Sequence, residues 1–148
     1  MNVSGSCHCG SITVRLETED PRALQVRACQ CGFCTRHGAR TVADSKGRAV
    51  ISAAGDSLHR YRFGFQTADF LICRHCGVYI GAVIGVDRAN YATLNAAGLN
   101  FAEFAGRDVT PVNFDEERVP DRLARRRALW TPVEVIQARV ETAIGSKR

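Results

Sequence analysis

The sequence predicts a mainly β protein, antiparallel in its body, with helices at the C-terminal end. Three observations carry this: apolar residues alternating with period two, many short apolar segments separated by Gly, Asn and Asp, and a change of periodicity past residue 117. Ile12, Val14 and Leu16 alternate as one strand, and Leu24, Val26 and Ala28 as the next, with Glu19-Asp20-Pro21 as the turn between them. Further strands are expected at 40–43, 49–53, 58–63, 69–74, 77–83 and 90–94. Pro120 then opens a helix running to Trp130. Thr131-Pro132-Val133-Glu134 reads as a capping box for a second helix, whose residues Val133, Ile136, Val140 and Ile144 form one apolar stripe ending at Gly145. That stripe would serve core packing or a homodimer contact, with Trp130 anchored between the two helices. Arg125-Arg126-Arg127 reads as a solvated helix face. The expected organisation is a β domain over residues 1–117, which carries all seven cysteines, and a helical extension over 118–148, packed on the same domain.

Composition narrows the class. A chain of 148 residues, 45% hydrophobic and 24% charged, suits one domain with one core and excludes low-complexity and disordered classes. The longest apolar run, 78–86, is interrupted by Gly81 and Gly85 and is too short to span a bilayer, so no membrane role is expected. The first six residues lack the basic and apolar regions of a secretory signal, which points to the cytoplasm and to reduced thiols. Residues 118–148 hold eight of the 20 basic and three of the 15 acidic residues, so the whole +5 surplus is C-terminal. A basic tail without a basic, aromatic-rich body does not read as a nucleic-acid surface.

The seven cysteines fall into three tight groups: Cys7 and Cys9; Cys29, Cys31 and Cys34; Cys73 and Cys76. An odd number in a reducing compartment argues against a disulfide framework, and burial as small hydrophobes does not account for pairs one or two residues apart. Metal ligation does, because closely spaced thiolates converge on one tetrahedral ion. Seven thiolates divide naturally into four and three. Four close a structural site, whereas three leave a position for water or substrate. The segment Cys29–Cys34 can supply three on its own; spacing does not fix the grouping, and His37 could close the smaller site. An iron–sulfur cluster is the alternative metal on ligand type. His8 and His75 read as exposed loop residues and His59 as a solvated strand residue.

The stretches Gly5-Ser6-Cys7-His8-Cys9-Gly10, Cys29-Gln30-Cys31-Gly32-Phe33-Cys34-Thr35-Arg36 and Phe70-Leu71-Ile72-Cys73-Arg74-His75-Cys76-Gly77 together resemble the glutathione-dependent formaldehyde-activating enzyme and centromere protein V family. The resemblance implies a zinc-bridged antiparallel β-tent and two zinc ions. One would be structural, on Cys7, Cys9, Cys73 and Cys76. The other would be catalytic, on Cys29, Cys31 and Cys34 with an open position. It also implies a carbon–sulfur lyase resembling S-hydroxymethylglutathione synthase, joining a thiol such as glutathione to formaldehyde or a related small aldehyde, or the reverse. Arg36 and His37 are the candidate substrate-binding residues. The alternative function is a non-catalytic zinc-stabilised binding module. Residues from Arg118 onward lie outside the resemblance.

Overall fold

Alternation becomes pleated structure where it is strongest. In β2 (Ile12–Glu17) the side chains of Ile12, Val14 and Leu16 are buried and their neighbours exposed, and β5 (Arg48–Ala53) buries Ala49, Ile51 and Ala53 in the same manner. The computed structural model describes residues 1–138, of which eleven segments are strands. The others are β1 (Asn2–Ser6), β3 (Val26–Cys29), β4 (Thr41–Val42), β6 (Leu58–Tyr61), β7 (Asp69–Cys73), β8 (Tyr79–Val86), β9 (Ala89–Asn95), β10 (Val109–Val112) and β11 (Thr131–Gln137). Two helices accompany them, α1 (Gly32–His37) and α2 (Val119–Leu129).

Strands β1, β2 and β5 form one antiparallel layer, while β6, β7, β8, β9, β4, β3 and β10 follow one another across a second. The layers meet in a core where Val3, Ile12, Leu16 and Ile51 from the first pack with Leu71, Ile80 and Leu94 from the second. The second layer has another buried face, occupied by Phe70, Tyr79, Ala82, Ile84 and Trp130. Strand β8, covered on both faces, is buried along six of its eight residues and reads as a nearly continuous apolar run.

The expected helix from Thr131 onward is instead strand β11. Thr131 and Pro132 pair antiparallel with Ala92 and Tyr91 of β9, and Val133–Gln137 run parallel to Ala49–Ala53 of β5. The physical reason is local and tertiary together. Val133 and Val135 are β-branched, alternate, and pack against the core, and the strand satisfies hydrogen-bonding edges that β5 and β9 would otherwise expose. Val140, Ile144 and Gly145, which completed the helical stripe, lie outside the described residues. The helix opened by Pro120 is present as α2. Trp130 is buried as expected of a packing anchor, but it caps α2 against the second layer and does not sit between two helices. The body is mixed in direction, because β10 runs parallel to β3 as β11 does to β5.

β1 lies close to the loop after β9, where Ser6 N–H donates to the Leu99 carbonyl at 3.1 Å. A Cβ on Gly5 would collide with the Leu99 carbonyl oxygen and meet the Phe101 ring at 2.7 Å. Gly5→Ala is therefore expected to cost about 1–3 kcal/mol of unfolding free energy, the usual range for overpacking. A denaturant titration showing an unchanged midpoint would contradict this close approach.

Candidate functional site

Two turns carry the outer cysteines. Between β1 and β2 the Cys7 N–H donates to Ile12 O at 3.0 Å, and between β7 and β8 the Cys73 N–H donates to Val78 O at 2.9 Å. Each turn thereby curls its backbone around its own sulfurs. The second turn closes at Gly77, whose φ of +78° lies in the left-handed region that disfavours a Cβ. Because β1 and β2 belong to one layer and β7 and β8 to the other, the two turns bring four sulfurs together across the layers. All four lie within 4.8 Å of one another, with Cys7 Sγ to Cys9 Sγ at 3.7 Å and Cys9 Sγ to Cys73 Sγ at 3.6 Å.

These separations test the fit of an ion. Zinc–sulfur bonds of about 2.3 Å in a tetrahedron set sulfurs about 3.8 Å apart, whereas a disulfide needs about 2.05 Å. All seven cysteines are free thiols. The Ile12 backbone N–H donates to Cys7 Sγ at 3.3 Å. Contacts with Ser11 pull the exposed Cys9 thiol down to about 6, and burial pushes Cys73 up to about 12.

The central cluster arises from a strand running into a short helix. Cys29 ends β3, where Gln30 N–H donates to Val112 O of the neighbouring β10 at 2.9 Å. Cys31 is the N-cap of α1, its sulfur accepting the Cys34 N–H at 3.4 Å, and Cys34 lies in the first turn. The three sulfurs also fall within 4.8 Å of one another. Hydrogen bonding among three thiols this close favours ionisation of one over the other two. Hydrogen bonds from Cys29 and Cys34 bring Cys31 down to about 2, while the same crowding pushes Cys29 and Cys34 up. A divalent cation is what permits all three to ionise, and an all-sulfur donor set suits zinc. Each cluster could hold one ion.

The two clusters differ in surroundings. The central one lines a cavity of about 220 Å³, to which none of the outer four cysteines contributes. Phe63, Phe70, Tyr79 and Trp130 give the cavity an apolar wall, and Arg27, Arg122, Arg125 and Arg126 give it a cationic one. Burial raises the pKa of Tyr79 well above the usual phenol range, so it stays neutral. Arg125 is committed to Glu117 through three hydrogen bonds of 2.9, 3.1 and 3.2 Å, and its guanidinium lies 3.5 Å from the centre of the Phe114 ring. Arg126 is only 6% exposed and donates to Thr67 Oγ1 at 2.9 Å. Its pKa is pushed down to about 10 by burial, and further by Arg125 and Arg122, which leaves it charged at neutral pH.

The sequence reading of Arg125-Arg126-Arg127 as a solvated face needs correction. Only Arg127 is exposed, pairing with Asp87 at 3.2 Å. Arg122, Arg126 and Trp130 recur at a spacing of four residues and so share one face of α2, the signal that could have placed the arginines inward. Arg36 and His37 do not line the cavity. Arg36 Nη1 donates to Gly32 O at 2.7 Å, within α1, and the His37 ring packs 4.5 Å from that of Phe33. His8, His59 and His75 are exposed as expected, His75 Nε2 lying 3.2 Å from Asp56.

A mainly β fold carrying one four-sulfur and one three-sulfur cluster, the latter in the wall of a cavity, defines a class of thiol-rich proteins whose clusters could each hold a metal ion. The chain belongs to the family of the glutathione-dependent formaldehyde-activating enzyme, whose sequence pattern matches residues 2–105. It is also similar to a structural-genomics crystal structure of a Rhodobacter sphaeroides protein, at 28% identity and a TM-score of 0.53, over 74% of this chain and 99% of that one. No curated protein matches the chain significantly. The family match ends before β10, α2 and β11, so the arginines of α2 come from outside it.

Metal analysis of the purified protein is expected to find two ions per chain. Cys73→Ser is expected to lose one of them and several kcal/mol of stability, since structural zinc contributes folding energy directly. Retention of both ions at wild-type stability would contradict the four-sulfur assignment.

Proposed function

We propose that the protein is a zinc-dependent carbon–sulfur lyase that joins a thiol, glutathione in the first instance, to formaldehyde or a related small aldehyde, and runs the reverse reaction as well. The observation that carries this reading is the position of the three-sulfur cluster in the cavity wall, with the four-sulfur cluster outside it. Membership of a formaldehyde- and glutathione-related family supports the choice of reactants.

The reaction is an addition without redox change. The thiol sulfur forms a bond to the carbonyl carbon, the carbon–oxygen π bond breaks, and the proton lost by the thiol ends on the new hydroxyl. Cys29, Cys31 and Cys34 would hold the ion, and Cys7, Cys9, Cys73 and Cys76 its structural counterpart. When bound by three protein sulfurs, zinc offers a fourth position at which a thiol is more acidic than in water. The remaining work falls to the chain. The aromatic wall of Phe63, Phe70, Tyr79 and Trp130 excludes water from the adduct. Tyr79, held neutral, remains a hydrogen-bond donor beside the cluster. Confinement of thiol and aldehyde in one cavity replaces a bimolecular encounter by a local one, a large gain for two small reactants.

Glutathione-dependent consumption of formaldehyde is the direct test. Cys31→Ser is expected to lower it at least about 100-fold, comparable with loss of a principal transition-state interaction, while the ion at the outer cysteines and the unfolding temperature are retained. Full activity with two ions still bound would overturn the assignment.

A further inference from the structure

The cavity contains a buried cation to which no carboxylate among the described residues is paired. Arg126 is nine-tenths buried in the cavity wall, and its Nε has no hydrogen-bond partner. Arg122, one turn earlier, likewise has a buried Nε without a partner, although its Nη2 donates to the Phe114 carbonyl at 2.8 Å and to the Glu117 carbonyl at 3.3 Å. Among the described residues, the ion pairs of α2 are Arg125 with Glu117 and Arg127 with Asp87; Arg126 forms none. Asp115 is the sole carboxylate among the cavity-lining residues, against four arginines. A buried guanidinium lacking its counter-charge is costly unless a ligand supplies one. Its planar fork presents paired donors that suit the two oxygens of a carboxylate.

We infer that Arg126, supported by Arg122, is the carboxylate receptor of the cavity and sets its preference for anionic substrates. The identity of the ligand rests on the thiol–aldehyde reading above; the receptor itself rests on burial and the missing partners. The carboxylate belongs either to the thiol, as in glutathione, or to the aldehyde, as in a 2-oxo acid such as glyoxylate. Because α2 lies beyond residues 2–105, this selectivity is a property of the chain's C-terminal segment and not of the matched family region. It replaces Arg36 and His37, which stand outside the cavity, as the candidate determinant.

The test is equilibrium binding to the protein as isolated, without turnover. S-Methylglutathione carries both carboxylates of glutathione and no free thiol; its dimethyl ester keeps the ammonium and is the control without carboxylates, and S-methylglutathione amidated at both carboxyl groups, of the same charge as the ester, checks that the difference is not steric. Glycolate imitates hydrated glyoxylate, with ethylene glycol as its neutral control. At least one acid is expected to bind 10-fold or more tightly than its control, and the pair that discriminates identifies the source of the carboxylate. Arg126→Met is expected to abolish that preference, Arg122→Met to reduce it, and Arg126→Gln serves where the methionine variant does not fold. Equal affinity of acid and control for the wild-type protein, no binding of either acid, or an undiminished preference in the folded Arg126 variant would each overturn the proposal. Since neither probe reacts, an inactive enzyme that still binds an acid through Arg126 would remove the catalytic reading and leave the receptor standing.

Discussion

Repulsion between thiolates governs this molecule. Two like charges about 4 Å apart repel by about 4 kcal/mol at the effective dielectric of a protein surface. The chain nevertheless gathers seven sulfurs into two groups with internal separations under 4.8 Å. Such an arrangement would be stable in its fully ionised form only around cations, which would make folding and metal uptake one equilibrium. The outer group joins the turn between β1 and β2 to the turn between β7 and β8, one from each layer, and an ion there would act as a cross-link with a large sequence span. Strand β11 makes the other join, hydrogen-bonding to β5 in one layer and to β9 in the other.

The two clusters divide labour by location. Four sulfurs satisfy a tetrahedral ion completely, which suits a staple. Three sulfurs at a strand–helix junction leave one position, and that cluster shares its cavity with aromatic rings and guanidinium groups. An apolar, partly cationic enclosure around an electron-rich centre favours a neutral or anionic reactant that brings its own sulfur. The helix that supplies three of the four arginines follows the family-matched segment, so the three-sulfur cluster and the cationic wall of its cavity are encoded largely in successive parts of the chain.

Much of this was legible in the residues. Cysteine spacing marked all seven as ligand candidates without any knowledge of the fold, whereas the joining of Cys7 and Cys9 with Cys73 and Cys76 came only from the resemblance. Period-two alternation placed β2, β3, β5 and β9 because one buried face imprints itself locally. What escaped was set by distant partners. Thr131-Pro132-Val133-Glu134 satisfies a helix-start pattern and a β-branched strand pattern equally well, and the open edges of β5 and β9 decide between them. Parallel pairing of β10 with β3 leaves no local trace. Three consecutive arginines look solvated, and only the face shared with Trp130 shows that Arg126 turns inward. Arg36 and His37 stand close to Cys34 in sequence, but neither lines the cavity, Arg36 turning back onto Gly32 and His37 packing on Phe33.

The central claim, that one ion is closed and the other open toward the cavity, is tested most directly by cadmium-113 NMR of the cadmium-substituted protein titrated with glutathione. Two resonances in the range of sulfur-rich sites are expected, of which one shifts with added thiol while the other stays fixed. A single resonance, or two that both ignore the thiol, would contradict the account.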